Sequence, residues 1–312
     1  MRVVVAIGGN ALIQAGDDGS WERQLENARS IAADVVALRA AGHEVVLTHG
    51  NGPQVGALML QQEAGAAETP ALPLDALIAM TQGQIGYLLS SAIADVDPDV
   101  STVALLTRVA VDPDDPAFAS PTKPVGPFYE AGEAVRLASE RRWHVAEDAG
   151  RGWRRVVPSP QPLRVLGAEH TSALLATGAV VIAVGGGGIP VGADGRGVQG
   201  VIDKDRASAE LALAVAADLL VLLTGVPRVA VDFGTRWERE LARLTVSEAL
   251  RGLADGEFPA GSMGPKIESA RRFVEGGRGR AVITTAGRLA AAVDGEDGTW
   301  VVADRDRAAV SA

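Results

Sequence analysis

The chain has 312 residues, which at about 150 residues per domain makes two domains or one α/β unit with two lobes. Hydrophobic residues make up 47% and charged residues 22%, enough to bury a full core and to exclude a disordered chain. The net charge of −10 argues against nucleic acid or an anionic membrane as partner, and the lack of cysteine excludes disulfides, thiolate metal sites and a cysteine nucleophile.

Residues 3–7 read as a buried strand ended by Gly8-Gly9-Asn10, too short for a signal core, so no targeting segment is expected. The spacing predicts a helix over 21–41, stopped by Gly42, and a strand over 44–48. After the HGNG turn a helix opens at Pro53, a residue favoured in the first helical turn. A helix over 75–94 and a strand over 101–106 follow. The stretch 98–162 carries nine of the sixteen prolines and two of the five tryptophans, too many for regular sheet interior. It reads as a protruding lid, or as a long surface loop with its own small cluster.

The longest uncharged run, 171–193, holds six glycines and Pro190, which excludes a membrane helix there. Within it a strand over 179–184 ends at Gly185-Gly186-Gly187-Gly188. Helix 204–217 starts after Asp203, a cap residue. Strands near 219–223 and 228–232, helices near 246–254 and 265–275, and strands near 281–284 and 299–302 complete the chain. Strand and helix alternate, which predicts parallel strands with helices on both faces and a division near 200–215.

Three glycine-rich turns, 8–10, 50–52 and 185–188, each follow a strand. Such turns serve tight packing, or they let backbone N–H groups approach an anion. Three on one sheet edge predict a phosphate or carboxylate cleft. GNGPQVG spaces its glycines one residue too long for the dinucleotide fingerprint, which disfavours a nicotinamide-dependent oxidoreductase. The chain has no GxxxxGK[ST] and no GxSxG. Of 29 basic residues only Lys123, Lys204 and Lys266 are lysine. Either this is chance, or a crowded site needs a compact ammonium with three donors. Lys204 lies beside Asp205, which either holds an ammonium, acts through Mg²⁺, or forms a surface pair contributing under about 1 kcal/mol. His49 fits a hydrogen-bonded turn; His43, His144 and His170 show no metal-ligand spacing.

AIGGNAL (6–12), THGNGPQVG (48–56), TQGQIGY (81–87), PTKPVGPFY (121–129), EDAGRGWRRVVPSPQP (147–162), VGGGGIP (184–190), VIDKDRAS (201–208), LTGV (223–226) and GSMGPKIES (261–269) together resemble the carbamate kinases of the amino acid kinase family. The resemblance implies a three-layer αβα sandwich around a mainly parallel open sheet of about eight strands, with a protruding subdomain. It implies an acceptor lobe over 1–210, including a lid at about 108–162, and a nucleotide lobe over 211–312. The implied reaction is Mg²⁺-dependent phosphoryl exchange between ATP and carbamate, giving ADP and carbamoyl phosphate, by a cytoplasmic homodimer that usually runs toward ATP in arginine breakdown. A kinase of another small carboxylate or phosphonate, and a non-catalytic nucleotide sensor, are the alternatives. Asp232 stands where the family more often has asparagine, which puts a nucleotide contact in doubt.

On that likeness, Gly8, Gly9, Asn10, Gly50, Asn51 and Gly52 cradle the acceptor and the moving phosphoryl group. Gly186, Gly187, Thr224, Gly225 and Met263 belong to the nucleotide site, with Lys204 and Lys266. Lys204 bridges the transferring phosphoryl, Lys266 holds the β- and γ-phosphates, Lys123 closes from the lid, and Asp205 orients the lysines. No protein metal ligand is expected, because Mg²⁺ sits mainly on phosphates. Three lysines and one Mg²⁺ supply about five positive charges against roughly five on ATP plus acceptor.

Overall fold

The computed structural model describes residues 1–306 apart from 15, 149, 151, 260 and 278, with backbone alone at 9 and 10. Strand β1 (Arg2–Ile7) leads to the one-turn helix α1 (Gly9–Leu12) and the long helix α2 (Trp21–Ala40). Then come β2 (Glu44–His49), α3 (Gly52–Gly65) and α4 (Leu74–Val96). The middle of the chain holds β3 (Thr102–Ala104), β4 (Arg108–Ala110), β5 (Lys123–Tyr129), α5 (Ala131–Arg141), β6 (His144–Glu147), β7 (Trp153–Val157) and β8 (Arg164–Val165). It continues through α6 (Ala168–Leu175), β9 (Val180–Ile182), β10 (Ile189–Val191), α7 (Lys204–Ala214) and β11 (Leu219–Thr224). Last are β12 (Val229–Val231), β13 (Arg239–Leu241), β14 (Arg243–Thr245), α8 (Val246–Ala254), α9 (Met263–Gly276), β15 (Arg280–Thr285), α10 (Leu289–Val293) and β16 (Thr299–Val302).

Eight strands form one sheet in the order β14-β16-β15-β11-β1-β2-β9-β3. Every pair is parallel except β15 with β16. The antiparallel pair departs from the reading of strict alternation. A five-residue helix such as α10 is only about 7.5 Å long, too short to carry the chain back along a six-residue strand of about 20 Å. The sheet runs unbroken through the β11–β1 neighbours, so the expected division near 200–215 does not interrupt it.

Period-two burial builds the layers. In β1, Val3, Val5 and Ile7 pack with α2, α4 and α10, while Val4 and Ala6 pack with α7 and α9. β11 repeats this with Leu219, Val221 and Leu223 on one face and Leu220 and Leu222 on the other. Central strands covered on both sides read as continuous apolar runs for this reason. Ser20 caps α2 by accepting from the Arg23 amide, and Gly42 at φ +80° ends it.

The proline-rich stretch is not one unit. β4 pairs with β10 and β8 in a small sheet, so residues 108–110 belong beside the body. The lid proper is the antiparallel sheet β5-β7-β6 with α5. It is fastened to α3 in three ways. A side chain at Gly56 would place its Cβ 2.0 Å from the Gly126 Cα of β5, so helix and strand touch through bare backbone. Glu63 of α3 accepts from Arg141 at 2.8 Å, Arg155 at 2.7 Å and the Trp143 indole N–H at 3.2 Å. Val55, Met59, Ile78, Val125, Val157 and Val201 form a buried cluster below. Gly56→Ala forces this seam apart; we expect a loss of about 3 kcal/mol, read as a lowered urea midpoint.

Candidate active site

The carboxyl ends of β1, β2, β9 and β11 open into a cleft of about 640 Å³. Its walls include Gly8 after β1, Gly50, Asn51 and Gly52 after β2, Gly186 after β9, and Thr224 and Gly225 at the end of β11. Val226, Phe233, Phe258 and Met263 give it an apolar flank. Lys123, Lys204, Lys266, Asp203 and Asp205 line the same space. Thus the three lysines, separated by up to 143 positions in the chain, meet at one cleft.

Local structure explains the meeting. Lys123 is the first residue of β5, at the base of the lid. Lys204 is the first residue of α7. Lys266 lies in the first turn of α9, which begins at Met263, two residues before the expected start near 265. Pro265 is tolerated there because first-turn N–H groups have no intrahelical partner. Lys204 and Lys266 therefore add whole charges to the positive ends of two helix dipoles.

Two carboxylates hold the three ammonium groups. Asp205 Oδ1 accepts from Lys204 Nζ at 2.6 Å and from Lys266 Nζ at 3.2 Å, and its Oδ2 accepts from Lys266 at 3.0 Å. Asp203 Oδ2 accepts from Lys123 Nζ at 2.5 Å. Burial works to raise both carboxyls, but the Lys204 and Lys266 charges hold Asp205 below its usual range, and Lys123 and Lys204 do so for Asp203. Burial and the neighbouring Lys266 pull Lys204 below the ordinary lysine value, against Asp205. Three ammonium groups against two carboxylates leave one excess positive charge among them, where an incoming anion finds donors still free.

The glycine turns after β2 and β9 are built from a second network. Val184 adopts φ +53°, a strained conformation for a β-branched residue, just before the four glycines. Thr107 Oγ1 accepts from the Val184 amide, and Gln82 binds both Thr107 backbone groups and the Gly185 carbonyl. Asn51 donates to Thr81 at 2.9 Å. His49 is buried and donates from Nδ1 to the Gly50 carbonyl at 3.0 Å, since a carbonyl can only accept. Burial pushes its pKa down to about 4, so it stays neutral at pH 7.

Several expected contacts fall differently. Gly186 lines the cleft, and a Cβ on it would meet the Asn51 amide at 2.3 Å, so it packs against the turn after β2. Gly187 is not among the residues lining the cleft: it packs on the Ile202 carbonyl, 2.3 Å from an added Cβ. Gly9 and Asn10 open α1, and the Asn10 side chain lies outside the described residues. Asp232 is exposed at φ +56°, a conformation asparagine and aspartate both tolerate, and it does not line the cleft. The sequence reading found Asp203 only as a helix cap and missed its bond to Lys123, along with the parts played by Thr81, Gln82 and Thr107; long-range pairing has no signature in spacing.

The chain belongs to the amino acid kinase family, whose pattern matches residues 1–285, and it is a phosphotransferase of that family. Within the family it stands beside the carbamate kinases. The carbamate kinase of Thermococcus kodakarensis is 48% identical, covering 96% of this chain and 99% of that one. The one from Pyrococcus furiosus is 46% identical over 96% and 99%. Among solved structures, carbamate kinase from Giardia lamblia bound to citric acid superposes with a TM-score of 0.92 at 40% identity, over 97% of this chain and 98% of that one.

Two measurements follow from this electrostatic arrangement. Asp205→Ala leaves two ammonium groups facing each other, so we expect a loss of about 3–5 kcal/mol in denaturant unfolding, with phosphate raising the variant's midpoint more than the wild type's. For His49 the native pKa of about 4 lies below the ordinary 6.5. The unfolded chain therefore binds the extra proton between those values, and stability falls with pH by up to about 3 kcal/mol. His43 is shifted in the same direction. His49→Asn, whose amide can replace Nδ1–H, is expected to flatten that slope between pH 6.5 and 4.

Proposed function

We propose that the chain exchanges a phosphoryl group between ATP and carbamate, forming ADP and carbamoyl phosphate reversibly. The observation that carries this reading is the meeting of three lysines on two carboxylates beside the glycine turns of β1 and β2. The near-full-length likeness to carbamate kinases supplies the acceptor. The N-termini of α3, α7 and α9 lie at this cleft and add about half a positive charge each.

Carbamate brings a nucleophilic oxygen that is already anionic, so no general base is required. The barrier lies in bringing two anions together and neutralising charge as it spreads over the moving phosphoryl group. Amides at Gly8, Gly50 and Gly52, with Asn51, receive the acceptor. Lys204 follows the phosphoryl group between its two partners. Lys266 holds the β- and γ-oxygens, and Lys123 closes on the acceptor side. Asp205 keeps Lys204 and Lys266 aimed. The apolar flank of Val226, Phe233, Phe258 and Met263 receives the nucleoside, so the nucleotide lobe is 211–312 and the acceptor lobe 1–210.

Asp203 and Asp205 already bind ammonium groups, and Asp203 two helix amides besides, so Mg²⁺ fits on nucleotide phosphate oxygens and not on a protein carboxylate set. There it would supply positive charge to the β- and γ-phosphates. Counting the two carboxylates lowers the simple charge balance by two, and the three helix ends restore roughly one and a half. We place the enzyme in the cytoplasm as a homodimer, running toward ATP in arginine breakdown.

ATP formation from ADP and carbamoyl phosphate is the direct test, and EDTA should abolish it. Lys204→Arg keeps the charge but changes its shape; kcat should fall at least about tenfold. Lys123→Ala should lower kcat while nucleotide affinity holds within about twofold; the reverse pattern would place Lys123 on the nucleotide.

A further inference from the structure

We propose that Asp203 is a positioning residue that ties the lid lysine to the start of α7, and so sets where Lys123 presents its charge. The inference rests on the carbamate kinase reading above. Its two carboxylate oxygens do different things. Oδ1 accepts from the amides of Asp205 at 3.0 Å and Arg206 at 3.3 Å, which caps α7. Two backbone donors on one oxygen fix the plane of the carboxylate, and with it the direction of Oδ2. Lys123 Nζ donates to that Oδ2 at 2.5 Å.

The consequence is geometric. Lys123 sits on a different unit, the lid, 80 positions earlier in the chain. Its flexible four-carbon stem would otherwise sample many rotamers. Pinned by one proton to Asp203, the ammonium keeps two more for oxygens in the cleft it lines. The cap that starts α7 also places Lys204 as the first helical residue. One carboxylate thus spaces a lysine of the lid against a lysine of the body. Preorganised charge of this kind is not reoriented at the moment of transfer, which is where an enzyme gains rate.

Asp203→Asn separates the two jobs. Asparagine caps helices as well as aspartate, with its oxygen on the amides, while its NH₂ then faces the lysine. Asp203→Ser is a second variant, able to cap but too short and neutral to hold Lys123. ATP formation from ADP and carbamoyl phosphate is measured for wild type, both variants, Lys123→Ala and the corresponding doubles, together with Tm and the ADP KM. We expect both single variants to lose at least tenfold in kcat/KM for carbamoyl phosphate, with Tm within a few degrees of wild type and ADP KM within twofold. In the Lys123→Ala background the same substitutions should cost less than twofold, because the group being positioned is gone. Full additivity in the doubles, near-wild-type turnover by Asp203→Asn, or a loss that follows Tm across the variants overturns the proposal. A wild-type enzyme that makes no ATP in this assay overturns the carbamate kinase reading instead.

Discussion

Everything in the cleft depends on one buried carboxylate shared by two ammonium groups. Asp205 is 4% exposed and bonds both Lys204 and Lys266. Charges of one sign do not gather in a protein interior without a counter-charge, because desolvation and mutual repulsion both oppose it. Asp205 permits the pair without satisfying it fully. Lys204 is left below its ordinary pKa by burial and by the neighbouring Lys266 charge. The helix ends, the glycine turns and the lid are arranged around this imbalance.

The second constraint is backbone proximity. The turn after β9 carries a strained Val184 and brings glycine backbone against His49, Asn51, Ile202 and Val109. Gln82 and Thr107 hold it there through hydrogen bonds to backbone groups. The strain sits beside the Gly50–Gly52 turn, and the buried polar network stabilises it.

Much of the framework could be read directly from the chain. The runs at 3–7, 44–48, 179–184 and 219–223 became central strands because a sheet covered on both faces needs continuous apolar residues. Asp203 announced the start of α7, and the scarcity of lysine pointed to Lys123, Lys204 and Lys266. Less legible were the features that need partners distant in sequence. β4 reads as part of a proline-rich loop until β10 is beside it. Gly187 reads as a phosphate turn until Ile202 is seen against it. The second oxygen of Asp203 has no local signature at all, since capping alone explains an aspartate there.

The seam between α3 and the lid has a mechanical consequence. The glycine turn after β2 sits at one end of α3, and the lid that carries Lys123 is riveted to the same helix at Gly56 and Glu63. Parts mounted on a common bracket keep their spacing when the bracket shifts. Thermal drift of this region therefore carries the Gly50–Gly52 turn and Lys123 as one piece, and the tolerance between them is set by a helix and not by a hinge.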